Sequence, residues 1–147
     1  MTRINFYIIE SSDQQAVQQL VCRLTDKAWS QNNTIYIHTD TPESASDLDD
    51  YLWTYREDSF IPHTMLDAEL NDECPVIIGH NHEKAESPEH MHDVLINTSQ
   101  AIPSFFSRFD RVAEIVAADD NSRELGRERF RFYRDRGYAL ETHKLSL

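Results

Sequence analysis

Six arginines crowd into the window from residue 123 to 136: Arg123, Arg127, Arg129, Arg131, Arg134 and Arg136, with no lysine among them. Three acids share the window (Glu124, Glu128, Asp135), so it carries +3, whereas the rest of the chain sets eight cations against 23 acids and carries −15. A guanidinium is planar and always charged, and its fork of donors matches a carboxylate or phosphate bidentately. On a helical wheel of about 100° per residue, Arg127, Arg131 and Arg134 fall within about 80° on one side of Arg123, and Phe130 borders that stripe at roughly −20°. Leu125, Phe132 and Tyr133 fall on the opposite half, where the core-facing side is expected. Arg129 and Arg136 land close to that apolar half, where each needs a snorkelling path to water or a partner carboxylate. Many basic stripes are only solvated helix faces. This one differs in its acidic surround, its exclusive use of arginine and the aromatic beside it. Forks for carboxylates next to an apolar anchor point suit a short acidic peptide carrying an aromatic residue. Direct DNA binding is the competing use of the same arginines, but a surround of −15 opposes a long polyanion more than a short peptide.

Other residues of chemically capable type lack company. His80, His82, His90 and His92 form two His-x-His pairs across the polar stretch 81–92, with Glu83, Glu86 and Glu89 nearby. Zinc or nickel accepts such ligands and spacing, yet no thiolate and no regular scaffold accompany them, so the stretch reads as a flexible, solvated loop. Asp47, Asp49, Asp50, Glu57 and Asp58 could supply paired carboxylates for acid–base work. No substrate-positioning residues go with them, and they read as a solvated face. No nucleophile elbow is present. The three glycines, Gly79, Gly126 and Gly137, lie too far apart for a phosphate-cradling loop. That excludes both the dinucleotide fingerprint and the Walker A motif, and it weakens the alternative of a small phosphate- or nucleotide-binding α/β enzyme. Cys22 and Cys74 fall among apolar residues and read as small core side chains. No catalytic residue, metal or cofactor is expected.

These side chains need a scaffold, and 147 residues with 39% hydrophobic and 27% charged content make one ordinary domain. No apolar run reaches the roughly 18 residues a membrane span requires. The N-terminus has no long apolar region and reads as a first strand rather than a signal peptide, which implies a cytoplasmic location. Residues 5–9 form an apolar strand, Ser11, Ser12 and Asp13 offer N-cap chemistry, and Ala16, Val17, Leu20, Val21, Leu24 and Ala28 follow at helical spacing. Asn32 and Asn33 mark a turn before a β-branched strand at 34–38. Thr41 and Pro42 open a helix with Ala45, Leu48 and Leu52 on its apolar stripe. Strands are expected at 75–79, 93–97, 111–117 and 138–145, a short helix at 104–109, and a helix at 122–136 closed by Gly137. Alternating strands and helices predict a single three-layer α/β/α domain over 1–147 with a mostly parallel or mixed central sheet.

Four segments together carry a resemblance. The first strand and helix (Phe6 and Tyr7 through Leu20, Val21 and Cys22), the run Leu48-Asp49-Asp50-Tyr51-Leu52-Trp53, the run Ser59-Phe60-Ile61-Pro62-His63, and Arg127-Glu128-Arg129-Phe130-Arg131-Phe132-Tyr133-Arg134 resemble the chi subunit of bacterial DNA polymerase III holoenzyme. The likeness spans nearly the whole chain in the same order. It implies a non-catalytic accessory to the clamp loader, which binds the acidic C-terminal tail of single-strand DNA-binding protein with one surface and the psi subunit with another. By that likeness Arg127 grips the terminal carboxylate of the tail, Phe130 and Val116 wall the pocket for its last aromatic, and Arg123 and Arg131 meet the acids upstream. Where the family commonly has Tyr and Lys, this chain has Phe130 and Arg131. Trp53, Phe60, Pro62 and His63 are implied to dock psi, or a repair helicase competing for the same place. DNA is then met only through partners.

Overall fold

The computed structural model describes residues 1–55, 61–65, 74–81 and 91–146. Its elements in chain order are β1 (Arg3–Ile9), α1 (Gln14–Ser30), β2 (Ile35–Thr39), α2 (Pro42–Thr54), β3 (His63–Met65), β4 (Val76–His80), β5 (Val94–Asn97), β6 (Arg111–Val116), α3 (Asp120–Asp135) and β7 (Ala139–Leu145). The seven strands make one sheet in the order β3-β4-β2-β5-β6-β1-β7, and every pairing between them is parallel. Sequence pattern allowed a mixed sheet; the pairings exclude it among the described strands.

Both faces of a parallel sheet are covered, and the central strands are accordingly rich in apolar residues: β2 is buried at every position, its polar His38 and Thr39 included. Alternation sorts these residues into two cores. Ile35, Ile37, Ile78, Ile96 and Ile115 face α1 and α2, whose Leu20, Val21, Leu48 and Leu52 pack on them. Phe6, Tyr36, Leu95 and Val112 face the other way, against Tyr133 of α3 and the aromatic cluster Phe105, Phe106 and Phe109. Three layers result, as the alternation of elements predicts.

The helix starts follow cap chemistry. Asp13 accepts from the Gln15 amide at 3.0 Å, and Thr41 accepts from the Ser44 amide at 3.1 Å ahead of Pro42. Asp119 accepts from the Ser122 amide at 3.0 Å, a bond that holds its carboxyl below the usual carboxylate range. This cap starts α3 at Asp120, two residues earlier than apolar spacing suggests. Gly137 ends the helix at φ 79°, a left-handed geometry costly for any other residue. One expectation fails in detail, and one strand has no counterpart in the sequence pattern. The aromatic segment expected to be a short helix is one 3₁₀ turn, Phe106–Arg108, pinned by three phenylalanines in the core. Strand β3 was not anticipated, because three residues are too few to show a period. Cys22 is fully buried, and its thiol is pushed up to about 12, the behaviour of a packed apolar group.

Candidate functional site

Helix α3 returns the chain from the end of β6 to the start of parallel β7, so it runs antiparallel to the strands it covers. Its buried residues are Gly126, Arg129 and Tyr133. The core-facing line therefore lies nearer to Phe130 than the wheel placed it, and Leu125 and Phe132 are only partly covered. The displacement has a cause. Glu114 of β6 is fully buried on the face beneath α3, and Arg129 turns inward to meet it, Nε to Oε1 at 3.0 Å. Tyr133 donates its hydroxyl to Glu114 Oε2 at 2.6 Å, and Asn97 donates its amide to Oε1 at 2.9 Å. Arg129 also donates to the Gln100 carbonyl at 3.0 Å. Burial raises the Glu114 carboxyl above its ordinary range, and Arg129, Tyr133 and Asn97 oppose that rise.

The arginines thus sort by partner. Arg129 is internal. Arg134 pairs with Asp135 at 3.2 Å, and Arg136 lies 3.6 Å over the ring of Phe132 while donating to its carbonyl at 3.4 Å. Arg123, Arg127 and Arg131 are exposed and have no ion-pair partner among the described residues. Arg123 and Arg127 flank an open groove of about 520 Å³ between α3 and the strands β6, β1 and β7. Val116, Gly126 and Phe130 complete its inner wall; Phe6, Ile8, Thr142 and Lys144 form its floor and far side, and Glu10 stands at one end. Register explains the floor. Val116, Ile8 and Lys144 stand side by side across β6, β1 and β7, and Phe6 pairs with Thr142 in the next row on the same face. Phe130 is half-buried, its ring 5.4 Å from that of Phe6, so it presents an apolar edge to the groove from a fixed seat.

Gly126 sets how deep the groove is. A Cβ there would lie 3.0 Å from Val116 Cγ2 and 3.1 Å from Cγ1, closer than ordinary packing allows. Any side chain here would have to push Val116 aside by a few tenths of an ångström, and a branched one by more. Gly126→Val should destabilise the fold by roughly 1–3 kcal/mol through overpacking, read as a lower melting temperature.

Of the sequence-predicted residues, the structure brings together Val116, Arg123, Arg127 and Phe130. Arg131 lies one helical turn past Arg127, exposed and outside the groove lining. Phe6, Ile8, Gly126, Thr142 and Lys144 were missed. Alternation in 139–145 does place Thr142 and Lys144 on one face, but only the strand order puts that face beside β1.

A family model described as DNA polymerase III chi subunit, HolC, matches residues 1–141. The chain belongs to this family. It is 42% identical over 145 residues to the DNA polymerase III subunit chi of Pseudomonas aeruginosa, covering 99% of this chain and 98% of that protein. It is 28% identical to the Escherichia coli K12 subunit chi, with 97% of each chain covered. The Haemophilus influenzae subunit chi is 26% identical over 140 residues, with 95% of each covered. Membership makes this an accessory-subunit family member of the DNA replication polymerase, and no helix among the described residues is long and apolar enough to cross a membrane.

The described residues of the second expected surface, Trp53, Pro62 and His63, sit at the opposite edge of the sheet, at the end of α2 and the start of β3. Trp53 is 52% exposed on the last turn of α2, although an indole there could have been core. Its ring centroid lies 4.6 Å from that of His63, which is buried. His63 Nδ1 donates to the Ile61 carbonyl at 2.6 Å, and Nε2 lies 3.3 Å from Asp49 Oδ1. Partial burial raises the Asp49 carboxyl, with His63 opposing, so Asp49 is not simply part of a solvated face. Pro62 is half-buried beside this group; Phe60, Glu57 and Asp58 lie outside the described residues. So do His82 and His90 of the histidine pairs, while His80 ends β4 and His92 is exposed.

Proposed function

We propose that this chain is a non-catalytic adaptor in the clamp-loader assembly of DNA polymerase III, joining the acidic C-terminal tail of single-strand DNA-binding protein to the psi subunit in the cytoplasm. The observation that carries this reading is the groove beside α3, where two guanidinium groups with no ion-pair partner among the described residues stand next to a half-buried aromatic on a chain of net charge −12. Arg127 receives the tail's terminal carboxylate, Phe130 and Val116 hold its last aromatic, and Arg123 meets the acids upstream. Arg131, outside the groove, adds to the field that draws the tail in. Trp53 and Pro62, together with Phe60, dock psi or a repair helicase that competes for the same place, and buried His63 seats the Trp53 ring from beneath.

Titration of the protein with a synthetic acidic peptide ending in phenylalanine tests the first half. Binding of order micromolar that weakens as salt rises is expected of exposed charge pairs. Steep salt dependence on a bare single-stranded oligonucleotide, with no response to the peptide, would favour direct DNA binding instead. A melting shift on adding nucleotide would favour a nucleotide-binding enzyme. For the second half, Trp53→Ala should weaken psi binding by roughly 30-fold or more, the usual scale of a buried aromatic anchor, and leave peptide binding unchanged. Because Trp53 is 52% exposed, the variant should melt close to the parent.

A further inference from the structure

The groove's far side carries charge that no motif announces. Lys144 is exposed, stands one strand beyond Ile8 on the floor, and has no ion-pair partner among the described residues. Arg123 stands in the opposite wall, on the first turns of α3, which begins where β6 ends. Lys144 is the last residue but one of β7, so both cations lie towards the carboxyl end of the sheet. The apolar end of the groove, where Phe130 meets Phe6, lies further along α3 and further down β1. One acid interrupts this arrangement. Glu10 follows directly on β1 at the same end, held by the Ser146 hydroxyl at 2.9 Å. It is not within ion-pair distance of Lys144, so in the free protein it does not neutralise it.

We infer that Lys144 is a second-wall cation for the acidic residues of the tail, and that Glu10 is a counter-charge that limits how strongly they are held. The inference rests on the tail-binding reading above. Arg123 and Lys144 form a mouth at the carboxyl end of the sheet, and the tail's acids leave the groove between them while its terminal aromatic lies at the Phe130 end. The direction of the tail follows, because the cations and the apolar notch occupy different ends of one groove. Glu10 at that mouth lowers the net attraction, which keeps the complex weak and quickly reversible. Each exposed pair is worth little in water, so the effects are expected to be modest and opposite in sign.

The test uses the full chain and two synthetic peptides, one whose acids are all aspartates and which ends in phenylalanine, the other the same with each aspartate replaced by asparagine. Lys144→Gln should weaken binding of the acidic peptide roughly two- to fivefold at low salt and flatten its salt dependence, with no change for the neutral peptide. Glu10→Gln, which keeps an oxygen to accept from Ser146, should tighten the acidic peptide by a similar factor. Melting curves that match the parent certify that both variants are folded. If Lys144→Gln binds the acidic peptide like the parent while Arg127→Ala still loses most of its affinity, the role of Lys144 is overturned and the tail-binding reading stands. If Arg127→Ala itself binds normally, that reading fails and takes this inference with it.

Discussion

Arg127→Ala should remove most of the affinity for an acidic, phenylalanine-ended peptide, weakening it roughly 10- to 100-fold in a calorimetric titration. The size follows from the kind of bond lost. A charge-assisted hydrogen bond to a carboxylate contributes about 1.5–3 kcal/mol, and every 1.4 kcal/mol is tenfold in affinity. Arg127 is exposed and carries no ion pair among the described residues, so its removal should leave the fold intact. Amidating the peptide's C-terminus should mimic the variant, because it removes the group that Arg127 is proposed to hold. The two changes together should then cost little more than either alone, since they delete one interaction from opposite sides. Full additivity would mean that Arg127 contacts the upstream acids instead.

Arg129→Met is expected to produce the largest loss of stability, roughly 3–5 kcal/mol, because it strands a carboxylate that is fully buried. At about 2–4 °C per kcal/mol for a chain of this size, the melting temperature should fall by roughly 10 °C or more. The loss depends on pH with a definite sign. Burial already raises the Glu114 carboxyl, and removing Arg129 withdraws the main opposing charge, so its folded-state pKa rises further. A raised folded pKa means that protonation favours the fold. Stability is then fully present below the ordinary glutamate pKa and is lost as pH rises through the raised value. Melts of the variant should be closest to the parent at mildly acidic pH and furthest from it at neutral pH. Glu114→Gln in the Arg129→Met background should recover part of the loss and flatten that trend. A pH-independent deficit would place the damage in packing rather than in the stranded charge.

Local chemistry made much of this architecture legible. Asp13 and Thr41 were readable as helix starts, and Gly137 as a helix end, because each satisfies a need of the helix terminus within a few residues. The separation of Arg123, Arg127 and Phe130 from the rest was readable for the same reason, since helical spacing is a local property. The partner of Arg129 was not. Glu114 lies 15 residues earlier on another element, and only the packing of α3 on β6 brings them together. Helical spacing alone centres the core face on Leu125 and Phe132, away from Phe130, because nothing local marks Arg129 as a buried side chain. The missing half of the groove has a similar origin. Lys144 and Thr142 belong to it because β7 lies beside β1, an adjacency between residues more than a hundred positions apart. Strand order in a parallel sheet leaves no periodic trace in the chain.

That strand order also fixes a distance. β3, beside Trp53, and β1, under the groove, are five strands apart in the sheet, or roughly 24 Å at about 4.8 Å per step. Charges at that range are about three Debye lengths apart at physiological salt, about 8 Å each, so a charge bound at one of the two proposed surfaces is screened from the other. The sheet then acts as a stiff spacer: loading one edge should leave the other's dissociation rate untouched, and a ternary assembly would form with the product of two independent constants.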